Sequence, residues 1–175
     1  VALALRRVDA SQRVRRGADA VNVHVLEREQ WIPATLDRVF DFFSDAANLE
    51  KLTPPWLGFQ IRSPLPIRTK AETRIDYTIR LGPVLMRWRT RISVWEQGRR
   101  FVDEQERGPY ALWEHTHEFT EMAGGVWMRD RVRYALPLGA LGAFAHFLIV
   151  RALLARIFDF RFARVRELFT AAGGA

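Results

Sequence analysis

An alternation of apolar and polar residues with a period of two runs through the middle of the chain and predicts β-strands. From Arg74 to Leu81, charged and apolar side chains alternate up to a turn at Gly82-Pro83, and a second alternating run extends from Met86 to Val94. Short glycine-containing turns separate the later runs, as they do in hairpins. We predict an antiparallel meander with about seven strands in all. The predicted strands include 21–32, 74–81, 86–94, 101–107, 111–121 and 126–135.

Two regions follow the helical period instead. Residues 36–43 carry apolar side chains at positions i, i+3, i+4 and i+7, and a second short helix is predicted from Ser44-Asp45 through Leu52. From Leu138 to Ala172 an apolar stripe at helical spacing continues without an internal proline. The predicted order is one strand, two short helices, a run of strands and one long C-terminal helix, which is an α+β fold.

The period of two also assigns the strand side chains to two faces of the sheet. The face that we call outer is almost entirely charged, with arginine beside glutamate at two strand junctions. We expect a solvated, self-neutralising face and no nucleic-acid surface, because the aromatic side chains on which bases would stack fall on the opposite face. The outer residues are Arg74, Arg80, Arg87, Arg89, Arg91, Glu104, Glu106, Glu114, Glu118, Arg129, Arg131 and Arg133.

The inner face is large and mostly apolar, but it includes the polar residues Asp103, Gln105, His115, His117 and Asp130. These groups need partners when buried. They either pair with one another or fix the orientation of an apolar ligand. The residues predicted to contact such a ligand are Tyr77, Met86, Trp88, Trp113, His115, His117, Phe119, Met128, Asp130, Tyr134, Phe147 and Phe158.

The composition narrows the function classes. The chain has 175 residues, the size of one domain. It has no cysteine, which excludes disulfides, thiolate nucleophiles and cysteine-bound metals. This composition is compatible with a reducing cytoplasm, where we expect the protein.

The net charge of +7 is not concentrated in one patch of the chain. Residues 1–20 hold five arginines and two aspartates and so contribute +3, which leaves +4 for the rest. They lack the apolar run of a secretory signal. We expect 1–20 to be a mobile basic extension and 21–172 to form a single ligand-binding domain.

The longest apolar stretch without a charged residue runs from Leu136 to Val150. It is shorter than the about 20 residues that span a bilayer, so no transmembrane helix is expected. We expect the apolar start of the predicted last helix, Leu138 to Val150, to cover the mouth of a cavity. The alternatives are a transient contact with a membrane surface and the formation of a homodimer.

Three segments resemble a bacterial branch of the START-like (SRPBCC) superfamily, namely LTPPWLGF at Leu52–Phe59, LWEHTHEF at Leu112–Phe119 and RDRVRYALPLG at Arg129–Gly139. That superfamily includes polyketide cyclase/dehydratase-like, coenzyme Q-binding and lipid-transfer proteins, and the resemblance covers residues 21–169. It implies the helix-grip fold, in which a curved antiparallel sheet wraps a long C-terminal helix. It also implies a deep cavity for sterols, quinones, polyketides or other lipids, but no established set of catalytic residues.

A metal site is one interpretation of the histidine pair. His115 and His117 lie two apart on a predicted strand, so they share one face with β-carbons about 6.5 to 7 Å apart. Two imidazoles at this spacing can bind one metal ion if Asp130 or Asp103 supplies a third ligand. Without a third histidine, a structural pair explains the pattern more simply. We therefore expect no metal and no cofactor.

Acid–base catalysis is the other interpretation. Imidazole titrates near neutral pH, so His115 or His117 can act as acid or base, with Asp130 or Asp103 to orient the ring. The candidate catalytic residues are His115, His117 and Asp130, and Tyr77 or Tyr134 would donate to a carbonyl. We expect the binding, transport or sequestration of a small hydrophobic ligand such as a lipid, quinone or polyketide. The alternative is a polyketide cyclase/dehydratase-type enzyme that uses the same cavity.

Overall fold

The computed structural model describes residues 6–16, 19–137, 144 and 149–170, and it describes side chains from Asn22 onward. Its strands form one antiparallel sheet with the order β1-β2-β8-β7-β6-β5-β4-β3. Strands from β4 to β8 follow one another as a meander, as predicted. The strands are β1 (Arg6–Arg16), β2 (Asp19–Ile32), β3 (Gln60–Ile61), β4 (Arg74–Leu81), β5 (Val84–Glu96), β6 (Arg100–Arg107), β7 (Leu112–Met122) and β8 (Gly125–Ala135).

The helices are α1 (Leu36–Ser44), α2 (Leu49–Leu52) and α3 (Arg151–Thr170). The carboxylate of Asp45 accepts a hydrogen bond from the amide of Ala47 and so begins the short turn that leads into α2. The two short helices and the long last helix agree with the sequence prediction. The predicted start of the last helix, residues 138–143 and 145–148, lies outside the described residues.

Residues 6–16, which lie in the segment expected to be an extension, form strand β1 in the structure. Their backbone pairs with β2 without a break from Arg6↔Glu29 to Arg16↔Asp19. Val8, Ala10 and Val14 give this segment a period of two, which its many arginines obscured. Within the described residues the sheet therefore has eight strands, with β1 at one edge.

The core lies between the concave, inner face of the sheet and the helices. In one cluster Phe40 of α1 packs edge-on against Phe101 and Phe119 of the sheet, and Val165 and Phe169 of α3 join them. A second cluster holds Leu154 and Phe158 of α3 against Val132 and Tyr134. α3 thus lies along the inner face, as in the helix-grip fold.

The outer face carries ion pairs between neighbouring strands, as predicted. Arg91 pairs with Glu104 at 3.1 Å, and Arg133 pairs with Glu114 at 3.0 Å. Asp76 holds Arg89 at 2.7 Å in the same way. Much of the arginine charge is therefore neutralised locally. No helix within the described ranges is both long enough and apolar enough to cross a membrane.

Candidate functional site

A cavity of about 320 Å³ lies between the inner face of the sheet and α3. Its sheet wall is aromatic: the rings of Tyr77 and Trp88 stack at 5.8 Å, and Trp113 meets Trp88 edge-on at 5.2 Å. Leu154 and Phe158 of α3 form the opposite wall. Further lining residues come from α2, from β4 and from the turn before β7, including Leu49, Leu52, Ile75, Ile79, Pro109 and Tyr110.

Five charged or titratable side chains meet at one side of this cavity, and we call Asp103, His115, His117, Asp130 and Arg161 the polar cluster. The strand register brings four of them together. Asp103 of β6 is paired with His115 of β7, and Asp130 of β8 is paired with His117. Arg161 reaches the same place from α3. All but Arg161 were recognised in the sequence as polar residues of the inner face.

Each imidazole of the polar cluster lies between two carboxylates. Oδ1 of Asp130 is 3.1 Å from Nε2 of His115 and 2.7 Å from Nδ1 of His117. Oδ2 of Asp103 is 3.1 Å from Nε2 of His117 and 3.5 Å from Nδ1 of His115. The centroids of the two imidazole rings are 3.9 Å apart. The two histidines therefore act as one electrostatic unit.

Arg161 brings a positive charge into this buried group. Its Nε lies 3.2 Å from Oδ2 of Asp130, and its guanidinium carbon stands 5.2 Å from the ring centre of Phe43. Only 13% of its side chain is exposed. Sequence reasoning missed this residue, although position 161 falls on the buried helical stripe formed by Leu154, Phe158 and Val165. An arginine at a buried position of a helix needs a partner, and this could have indicated that residue 161 belongs to the site.

The histidines differ in their affinity for a proton. Burial lowers the pKa of His115, and the neighbouring His117 adds to this effect. Burial also disfavours the charged form of His117, but the charge of Asp130 and the hydrogen bonds to Asp103 and Asp130 raise its pKa on balance. Of the two histidines, His117 is therefore the one that takes up its second proton first as the pH falls.

Both carboxylates stay ionised. Burial alone would raise the pKa of Asp130, yet the charges of Arg161 and His117 hold it well below its usual range. The pKa of Asp103 is also lowered, because His115 and His117 outweigh the effect of burial. The cavity therefore ends on fixed negative charge with compensating cations beside it.

The structure separates the predicted ligand-contacting residues into two groups. Phe119 and Met128 belong to the first core cluster and Tyr134 to the second, while Asp130 lies behind the histidines. None of these four lines the cavity, because the concave face is longer than the cavity and α1 and α3 cover the remainder. Phe147 lies outside the described residues. The predicted residues that line the cavity are Tyr77, Met86, Trp88, Trp113, His115, His117 and Phe158.

The apolar stretch before α3 was expected to cover the cavity mouth. Most of it lies outside the described residues. At its end, Val150 lines the cavity, whereas Phe144 and Ile149 are exposed. Cover for the mouth, membrane contact and homodimer formation all stay predictions for this stretch.

Comparisons with solved structures show the same fold. A protein of Thermus thermophilus matches with a TM-score of 0.62 and 22% identity over 85% of this chain and 98% of its own. The protein Ara h 8.0201 gives 0.58 and 13% identity over 85% and 99% of the two chains. A point mutant of norcoclaurine synthase from Thalictrum flavum, in complex with a transition-state analogue, gives 0.59 and 16% identity over 83% and 95%. At these identities the likeness concerns the fold alone.

A comparison with curated proteins gave no match. The family described as polyketide cyclase/dehydrase and lipid transport matches residues 32–158, which is most of the chain and includes both histidines of the polar cluster. That range runs from the end of β2 into α3 and so contains nearly the whole cavity wall. The chain belongs to the polyketide cyclase/dehydrase and lipid transport family.

Proposed function

We propose that this protein binds one small hydrophobic molecule with an oxygen-bearing end in the cavity between the sheet and α3. The observation that carries the proposal is the cavity itself, apolar over most of its wall, with His115, His117, Asp103 and Arg161 gathered at one side. Small-molecule sites have this composition, since apolar contacts give affinity and a few polar groups fix orientation.

The size of the cavity favours a compact ligand. A volume of about 320 Å³ lies at the small end of the range of about 300 to 1,000 Å³ that is common for ligand pockets. The stacked pair of Tyr77 and Trp88, with Trp113 edge-on, offers flat surfaces to a ring system. We therefore place quinones and aromatic polyketides ahead of long-chain lipids as ligands.

Filling the cavity tests this proposal. Ile157 lines the cavity from α3, whereas Arg166 is exposed on the same helix. Ile157→Trp should occupy ligand space, and Arg166→Trp adds the same indole group outside it. Native mass spectrometry of the purified proteins and thermal shifts with a panel of ring quinones, polyphenols and fatty acids would be compared. We expect binding by the wild type and Arg166→Trp, and its loss in Ile157→Trp.

Two results would contradict the binding proposal. One is a wild-type protein that carries no molecule and shows no thermal shift with any member of the panel. The other is an equal shift in Ile157→Trp and Arg166→Trp, because a ligand held in the cavity must compete with the new side chain at position 157.

Acid–base catalysis in the same cavity is a second candidate function. What favours it is that His115 and His117 both line the cavity and each is oriented by two carboxylates, an arrangement that suits proton transfer. His115→Ala and His117→Ala should then abolish cyclisation or dehydration of a polyketide-like substrate and leave its binding largely intact. Unchanged turnover in both variants would remove this candidate.

A further inference from the structure

Three possible metal-ligand atoms of the polar cluster lie close together in the part that borders the cavity. One ligand atom from each of Asp103, His115 and His117 lies within 4.8 Å of the other two. Oδ2 of Asp103 is 3.1 Å from Nε2 of His117 and 3.5 Å from Nδ1 of His115. Ligand atoms about 2.0 to 2.2 Å from one ion are separated from each other by about 3.0 to 3.5 Å, depending on geometry. The two separations from Oδ2 of Asp103 therefore fit a shared ion.

Asp130 occupies the opposite side of both imidazoles. Its Oδ1 lies 3.1 Å from Nε2 of His115 and 2.7 Å from Nδ1 of His117. When those two nitrogens donate to Asp130, the lone pairs of the other two ring nitrogens face Asp103. A carboxylate that accepts the second N–H of a ligating histidine fixes its tautomer and its ring orientation. Arg161, 3.2 Å from Asp130, holds this carboxylate in turn.

The net charge of the polar cluster is compatible with a bound cation. Two carboxylates and one guanidinium sum to −1 when both imidazoles are neutral. Among the described residues that line the cavity, Arg161 is the only arginine or lysine. A second proton on His117 would compensate this negative charge, and so would a metal ion bound between Asp103 and the histidines.

We propose that Asp103, His115 and His117 bind a divalent transition-metal ion of the zinc or iron(II) class, with its open coordination positions facing the cavity. Two imidazole nitrogens and one carboxylate oxygen suit these ions, and sites with three protein ligands leave positions for water or a ligand oxygen. This metal site can be tested independently of the proposed ligand-binding function, because metal binding can be measured without any organic ligand.

Equilibrium dialysis of the full chain tests this site. Protein stripped with a chelator would be dialysed against Zn²⁺, against Fe²⁺ without oxygen, and against Mg²⁺, and its metal content measured by mass spectrometry. We expect about one Zn²⁺ or Fe²⁺ per chain and no Mg²⁺, which prefers oxygen ligands. His115→Gln/His117→Gln should lose the ion. His24→Gln is the matched control, because His24 does not line the cavity, and it should keep the ion.

Variants at the two aspartates separate direct ligation from orientation. Asp103→Asn should weaken binding and change the visible absorption of bound Co²⁺, because a ligand of the ion is altered. Asp130→Asn should keep the stoichiometry but lower the affinity by about 10- to 100-fold, as loss of a carboxylate behind ligating histidines does. Circular dichroism would show whether the double histidine variant folds. If it does not, the single aspartate variants and the Co²⁺ spectrum of the wild type still test the metal site.

The proposal is overturned if the stripped wild type takes up neither Zn²⁺ nor Fe²⁺. It is also overturned if folded His115→Gln/His117→Gln binds Zn²⁺ as tightly as the wild type. In both cases the ligand-binding proposal would stand, since the Ile157→Trp comparison measures it separately.

Discussion

The phenol of Tyr77 faces the cavity, where its hydroxyl group lies 3.1 Å from Oγ1 of Thr90. Burial raises its pKa far above the usual value of 10.0, and the charge of Asp103 adds to this effect. Burial likewise raises the pKa of Tyr110. Both phenols therefore stay neutral in the folded protein at pH values where they ionise in the unfolded chain.

This difference predicts a loss of stability in alkali. Above a pH of about 10 the unfolded chain releases the phenolic protons and the folded protein keeps them, so the free energy of unfolding falls as the pH rises. Urea unfolding between pH 8 and 11 would measure this slope, and Tyr77→Phe should reduce it. An unchanged slope in Tyr77→Phe, or phenolate absorbance from every tyrosine before unfolding, would contradict the prediction.

Single residues also mark the limit of sequence reasoning about the site. His115, His117, Asp103 and Asp130 were found because the period of two placed them on the inner face. Their contacts depend on the register of three strands, which the period alone does not fix. Arg161 was missed because the stripe on the last helix was defined by its apolar side chains alone. The arginine at position 161 lies on the same face of that helix.

At the scale of elements, α1 is held to the sheet by Phe40. This side chain is 1% exposed, and its ring meets Trp95, Phe101 and Phe119 edge-on with centroids 5.2 to 6.0 Å apart. Edge-on aromatic pairs stabilise a core by more than the burial of their apolar area alone would. Phe40 therefore anchors α1 beside the wall of the cavity.

Phe40→Ala should lower the free energy of unfolding by about 3 to 5 kcal/mol, as large-to-small changes in a core do. Met122, 54% exposed at the end of β7, gives the control. Met122→Ala should change stability by no more than about 0.5 kcal/mol. Urea denaturation followed by circular dichroism measures both variants. A cost at position 40 as small as that at position 122 would show that α1 is not anchored there.

The register of β5 shows where a strict alternation fails. The period of two places Val94 on the inner face, but the pairing of β5 with β6 shifts between Ile92 and Val94. Beyond this irregularity Trp95 packs against Phe40 and Phe101 instead. An extra residue in one strand places all later side chains of that strand on the opposite face. The pattern of apolar residues does not predict where such a bulge occurs.

For the whole molecule, the order of elements was predictable from the long periodic segments and short turns, and the resemblance to the START-like superfamily implied the helix-grip architecture. The outer and inner faces also followed from the pattern. The part of the inner face that remains open as a cavity was not predictable. It depends on how far α1 and α3 cover the sheet, and this separates cavity-lining Trp88 and Trp113 from the fully packed Phe119 and Met128.

The polar cluster and part of the apolar wall of the cavity come from different segments of the chain. Every member of the polar cluster lies between positions 103 and 161, whereas much of the aromatic and aliphatic wall comes from 42–92. Substitutions in the earlier segment can therefore change which molecular shapes fit while the charged end keeps its arrangement. A chimera that exchanges 101–161 between proteins of this fold would therefore transfer the polar cluster together with Trp113 and the cavity wall formed by α3.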